Sequence, residues 1–249
     1  MDLLRAAVNL ILAIGQIAAT VYLFSSGFQS AQGPMPQAEP TPIEPAGYAF
    51  IIWAPIYIGC VIYALWLFSP EGMRDPVSHV IGWATVPVFA ACVGWLFAAA
   101  WGPVIFTIPL IVVMFAGLAS TLLTVTAGTA AMSWSKYLCV VVPLSLYCGW
   151  VSVALFANAS EVLPSYGFNR FGLDVETWTL LMLGVAGLVA AYITWTTASP
   201  VYTGAVIWAL IAISVGSFNR GPYPVVAAAA LGLAVTLVLL MWVRLQRAS

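Results

Sequence analysis

The residues of this chain best suited to chemistry are aromatic rather than ionisable. Phe50, Trp53 and Tyr57 recur at i, i+3 and i+7, which sets them on one face of a helix. Tyr147, Trp150 and the small Ala154 form a second stripe, with Asn158 one turn further on, and Trp95 lies in a third apolar run. Flat rings with an occasional indole N–H or phenol O–H suit a large, flat, mostly apolar ligand. The same spacing also serves helix packing, where rings fill gaps between neighbours, and both readings stand. Trp134, Trp178 and Trp242 fall near the ends of apolar runs, where aromatic belts meet the membrane surface.

Ionisable chemistry is sparse. The chain has 249 residues with seven basic, eight acidic and one histidine. All of the basic and acidic residues fall at the ends of apolar runs or in the connections between them. Proton relays, ion pumps and voltage sensors keep ionisable groups at membrane depth, so a charge-coupled transporter is not expected. GxxxxGK[ST], HExxH and GxSxG are absent. Ser133-Trp134-Ser135-Lys136 matches SxxK without its SDN and KTG partners, and Lys136 reads better as a membrane anchor. His79 could be an axial ligand or a polar residue at headgroup level, and no second ligand accompanies it. Cys60, Cys92, Cys139 and Cys148 lie in apolar runs and read as packing residues. No catalytic residue and no metal site is expected. A net charge of −1 provides no field to attract nucleic acid.

The elements that must position these residues are transmembrane helices. Hydrophobic residues make up 63% of the chain and charged ones 6%, against about 25% charged in soluble domains. A span needs about 20 mostly apolar residues. Eight such runs are present, at 4–25, 47–68, 78–100, 103–126, 137–158, 177–197, 201–218 and 223–243. The seventh is short for a full crossing. Pro34, Pro36, Pro40, Pro42 and Pro45 break the chain after the first run. Ser69-Pro70-Glu71-Gly72, the tight Trp101-Gly102-Pro103 turn and Asn219-Arg220-Gly221-Pro222 separate others. Residues 159–176, with Glu161, Pro164, Arg170, Asp174 and Glu176, read as a solvated loop. The first run, at about 20 residues, exceeds a signal-peptide core and is expected to remain as a helix. With eight spans and a cytoplasmic N-terminus, Arg5, Arg74, Lys136, Arg244 and Arg247 lie inside and only Arg170 and Arg220 outside, which obeys the positive-inside bias.

Two segments resemble the tryptophan-rich sensory protein family, also called TspO/MBR or translocator protein. One is Pro45-Ala46-Gly47-Tyr48-Ala49-Phe50-Ile51-Ile52-Trp53-Ala54-Pro55-Ile56-Tyr57, where the family has Pro-Pro-x-Trp-x-Phe and then a Trp and a Leu-Tyr pair. The other runs from Lys136-Tyr137 through Pro143-Leu144-Ser145-Leu146-Tyr147-Cys148-Gly149-Trp150 to Ala154 and Asn158, similar to the family's fifth helix. Gly94-Trp95-Leu96-Phe97 is similar to its third. Tyr48 stands where the family usually has Trp, and Ala46 replaces one proline. The likeness covers residues 1–160 and implies a five-helix bundle with a pocket roofed by the first loop, followed by three additional helices in 161–249.

The fold class expected is thus an all-α integral membrane protein of eight transmembrane helices. The resemblance implies a membrane receptor or binding protein for a flat hydrophobic ligand, a tetrapyrrole such as a porphyrin or haem, with a sensory or regulatory role and no required cofactor. It implies ligand contacts from Tyr48, Phe50, Trp53, Tyr57, Trp95, Tyr147 and Trp150 by stacking and hydrogen bonding. It further implies a homodimer and, with the apolar helices, a bacterial inner membrane, in which the positive-inside bias puts both termini on the cytoplasmic side. Porphyrin breakdown has been proposed for some members. Two other readings remain: a transporter of a neutral or lipophilic solute, and an assembly subunit in which Gly184, Gly187 or the Ala227–Ala230 run receives partner helices.

Overall fold

The computed structural model describes residues 2–27, 41–127, 132–221 and 223–247. Pro34, Pro36, Pro40 and Pro222 lie outside the described residues. In lipid every backbone polar group must be satisfied within the chain, so the apolar runs close on themselves as helices. They are α1 (Asp2–Ser25), α2 (Trp53–Trp66), α3 (Pro76–Trp101), α4 (Thr107–Thr126), α5 (Val142–Ser165), α6 (Val175–Thr197), α7 (Pro200–Arg220) and α8 (Pro224–Gln246). A 3-10 turn, Gly47–Ile52, leads into α2, and a π-helical turn, Tyr137–Val141, leads into α5. With these extensions, eight stretches among the described residues are long and apolar enough to cross a membrane.

The helix starts follow from local chemistry. Proline occupies the first turn of α3, α7 and α8, where no N–H is needed. Asp75, Asp174 and Ser199 accept hydrogen bonds from the exposed N–H groups of α3, α6 and α7. The tight turn after Trp101 is present, with Gly102 in extended backbone against Ala98.

Two expectations need correction. The seventh run is a full helix of 21 residues rather than a short one. Residues 159–165 are not loop: α5 continues through them to Ser165, and Glu161 is buried. The helix persists because this stretch faces protein instead of water. For the same reason Trp178 is not a surface belt residue. It is buried beneath Phe168 and Phe171, with ring centroids at 5.4 and 6.3 Å, whereas Trp134 and Trp242 are exposed.

α5 is the most buried span. It packs on α2, α4, α6 and α7, while α3 packs between α1 and α4, and α8 closes on α6 and α7. The last three helices therefore share one core with the first five. The boundary expected at 160 falls inside α5. Cross-links are polar as well as apolar: Ser152 Oγ and Tyr202 Oη are 3.0 Å apart, and Ser199 Oγ donates to Ser145 Oγ at 2.9 Å. Gly187 packs against Leu233 of α8, and Gly184 faces open space. One face of α1 carries Arg5, Asn9, Gln16 and Thr20, all buried. Asn9 Nδ2 donates to the Gly82 carbonyl at 2.7 Å, and Thr85 Oγ1 donates to Asn9 Oδ1 at 2.7 Å. His79 lies at the end of this line, its Nδ1 3.0 Å from Asp2 and 2.8 Å from Arg5.

At that same end, Asp75 ties α3 to the start of the fifth span. It accepts from the Val77 N–H at 2.8 Å and pairs with Lys136. Burial would raise the Asp75 carboxyl, but Lys136 and the N–H groups of Val77 and Ser78 outweigh it and hold the carboxyl below the usual aspartate range. A carboxyl lowered in the folded state stabilises above its unfolded pKa, and that contribution is lost as pH falls through the folded value. Asp75→Ala is therefore expected to lose about 1–2 kcal/mol at neutral pH, from the cap and the pair together. The gap to the parent should close as pH drops below about 3.9. Thermal melting in detergent across that range measures it, and a gap independent of pH would contradict the assignment.

Candidate ligand-binding site

The recess opens at the end of the bundle where α1 and α3 finish and α2 begins. Its walls are Phe50 and Trp53 of the second span, Trp95 of α3, Ile111 and Met114 of α4, the Trp150-to-Glu161 face of α5, and Ala209 of α7. Glu44 and Pro45 cover its mouth. The enclosed space between these side chains is about 60 Å³, below the roughly 300–1,000 Å³ of occupied ligand clefts, so a large flat ligand must displace wall side chains to enter.

The rings are arranged edge to face. Phe50 and Trp150 meet at 5.6 Å and 80°, and Trp53 and Trp150 at 6.3 Å and 80°. Edge-to-face pairs use the positive ring edge against the negative face, so these walls hold their shape without a ligand. A separation of 6.3 Å leaves no room for a further ring between Trp53 and Trp150. Trp53 and Trp150 are buried and Phe50 partly exposed, so a flat ligand would meet the cluster from the Phe50 side.

Trp95 is fixed by hydrogen bonding. Its Nε1 donates to Asn158 Oδ1 at 2.9 Å, and Asn158 Nδ2 donates to Thr107 Oγ1 at 2.9 Å. Asn158 thus knits α3, α4 and α5 together, and the Trp95 indole N–H is committed within the protein.

The seven residues expected at the site divide into three groups. Phe50, Trp53, Trp95 and Trp150 line the recess. Tyr57 and Tyr147 lie beneath it: Tyr57 stacks on Trp53 at 5.3 Å and Tyr147 meets Trp53 at 5.8 Å. Their hydroxyls face α1, where Thr20 Oγ1 donates to Tyr57 Oη at 3.4 Å and Tyr147 Oη donates to Gln16 Oε1 at 3.3 Å. Tyr48 is outside, half exposed and packed on Trp208 at 5.5 Å. Helical geometry is the reason, since residues two apart on an α- or 3-10 helix point to different sides, so Tyr48 turns away from the face that Phe50 presents to the recess.

The walls are more numerous than the three spans that sequence spacing suggested, because α4 and α7 also contribute. Sequence reasoning also missed the acidic groups. Glu161 extends the Trp150, Ala154, Asn158 stripe by one more helical step, so its position was readable in the spacing. Nothing local marks Glu44. It is placed by a clasp between residues 41–46 and α7. The Ala46 N–H donates to the Ala212 carbonyl at 2.9 Å, and Ser217 Oγ donates to the Pro42 carbonyl at 2.7 Å. Gly216 permits the approach, since a Cβ there would sit 2.5 Å from the Glu44 carbonyl oxygen.

Arg220 completes the clasp. Its Nε pairs with Glu44 Oε2 at 3.2 Å, Nη1 donates to the Glu44 and Thr41 carbonyls at 2.5 and 3.4 Å, and Nη2 donates to the Pro45 carbonyl at 2.8 Å. Burial raises the Glu44 carboxyl above its ordinary range, and Arg220 offsets part of that rise.

A family model described as TSPO-like protein matches residues 6–243, a stretch that reaches from α1 into α8. No curated protein and no solved structure matches the chain.

Proposed function

The chain belongs to the TSPO-like protein family, and on that premise we propose that it is a membrane binding protein for a flat hydrophobic ligand, with tetrapyrroles as the class to test first. The observation that carries this reading is the recess itself: three tryptophans and a phenylalanine converge on one recess inside the bundle. Aromatic walls with few polar groups favour binding over turnover. Transport would call for a continuous polar passage, whereas Arg5, Asn9 and Gln16 of α1 are packed side chain against side chain. The bias of basic residues supports an orientation with both termini cytoplasmic, in which the recess opens to the far side of a bacterial inner membrane.

Titration of the detergent-purified protein with protoporphyrin IX, followed by tryptophan quenching, tests the reading. Saturable quenching is expected, weakened about tenfold or more by Trp150→Ala and by Trp53→Ala, since each removes a ring worth roughly 1–3 kcal/mol of stacking. Unsaturable quenching that ignores both substitutions means partition into detergent and rejects the tetrapyrrole assignment.

A further inference from the structure

The mouth of the recess holds more carboxyl groups than its own structure uses. Glu44 and Glu161 both line it, and both are more than nine-tenths buried. Among the described residues, Arg220 is the cation beside them. A guanidinium has five N–H donors, and Arg220 directs them to one Glu44 oxygen and three backbone carbonyls of the 41–46 segment. The second Glu44 oxygen, Oε1, is buried with no hydrogen-bond partner. Among the described residues none donates a hydrogen bond to the Glu161 carboxylate. The Glu161 carboxyl therefore has no cation of its own, and a buried unpartnered oxygen, Glu44 Oε1, lines the same mouth. Such an arrangement is costly unless something occupies it.

We propose that the recess is selective for an amphiphile bearing a protonated nitrogen, whose flat apolar body lies on Trp53, Trp95 and Trp150 while its N–H groups are received by Glu44 Oε1 and the Glu161 carboxylate. This deepens the binding reading above and rests on it. An ammonium supplies the donors that both acidic groups lack and is the counter-ion that favours an ionised Glu161. Charge-assisted hydrogen bonds in a water-poor site are stronger than neutral ones. A ligand carrying carboxylates meets the opposite field, and a porphyrin would have to direct its propionates away from this end.

Three pyrene probes sharing one ring system separate the contributions: 1-pyrenemethylamine, 1-pyrenemethanol and 1-pyrenecarboxylic acid. Energy transfer from tryptophan to pyrene reports binding to the full chain in a non-ionic detergent. The amine is expected to bind about tenfold or more tighter than the alcohol, and the acid more weakly than either. Glu161→Gln and Glu44→Gln should each shrink the amine-to-alcohol ratio severalfold. The ratio is the readout, so a general change in recess shape cancels from it. Equal affinities for amine and alcohol, or a ratio untouched by both substitutions, overturns the charge selectivity and leaves the aromatic recess standing. Failure of all three probes to saturate overturns the recess as a binding site, and the selectivity with it.

Discussion

Arg220→Met should release residues 41–46 from α7 and raise amide exchange in that segment about a hundredfold, with little change in α6 or α8. The prediction follows from what Arg220 holds. It contacts Thr41, Glu44 and Pro45 at once, and its removal leaves the Glu44 carboxylate buried without its counter-ion. Breaking a buried pair by deleting one partner costs about 3–5 kcal/mol, and a hundredfold in exchange corresponds to about 2.7 kcal/mol of local opening. The lower figure suits a guanidinium that is 25% exposed. Met keeps the length and apolar stem of the side chain, so the effect isolates charge and hydrogen bonding. Adding Glu44→Gln removes the stranded charge and should recover part of the loss, so the two substitutions will not be additive. Hydrogen exchange read by mass spectrometry decides the matter. Unchanged protection at 41–46 would mean that Ala212 and Ser217 hold the segment without Arg220.

That clasp also separates what the sequence makes readable from what it does not. Lipid demands continuous apolar helices, so the eight spans follow directly from hydropathy, and proline and glycine mark most of their ends. The errors fall where tertiary contact overrides local polarity. Glu161 and Pro164 look like loop, yet α5 runs through them because its stripe of inward-facing residues continues to Glu161. Trp53 and Trp150 are legible at the site because helical spacing aims them at the buried faces of α2 and α5. Tyr48 is not, since the resemblance and not helical spacing pointed to it, and two positions before Phe50 it packs on Trp208 instead. Glu44 is the least legible: its position depends on Gly216 and Arg220, some 170 residues further along. A glycine inside an apolar helix carries no local sign of what must approach it.

Gly149→Val should be the most damaging single substitution at the crossing of α5 and α7, because that crossing has no room for a side chain. A Cβ at Gly149 would lie 2.5 Å from the Tyr202 carbonyl oxygen and 2.7 Å from Ala205 Cβ. The first of these is backbone, which cannot rotate out of the way. In lipid the helices gain nothing from hydrophobic exclusion, so close approach and interhelical hydrogen bonds carry the association. Pushing α7 outward stretches two such bonds, Ser152 to Tyr202 and Ser145 to Ser199, on either side of the glycine. It also moves Ala209 away from the recess and shifts Arg220 from the 41–46 segment. Overpacking alone costs about 1–3 kcal/mol, and the stretched bonds add about 0.6 kcal/mol each, so a loss of about 3 kcal/mol is expected. Gly184→Val is the matched control, since no atom lies within 4 Å of a Cβ there, and it should change stability by less than about 0.5 kcal/mol. Thermal melting of both variants in one detergent gives the comparison. A Gly149→Val protein that melts with the parent would show that α7 can be displaced freely, and the clasp over the recess would then have to be held by α8 or the first loop alone.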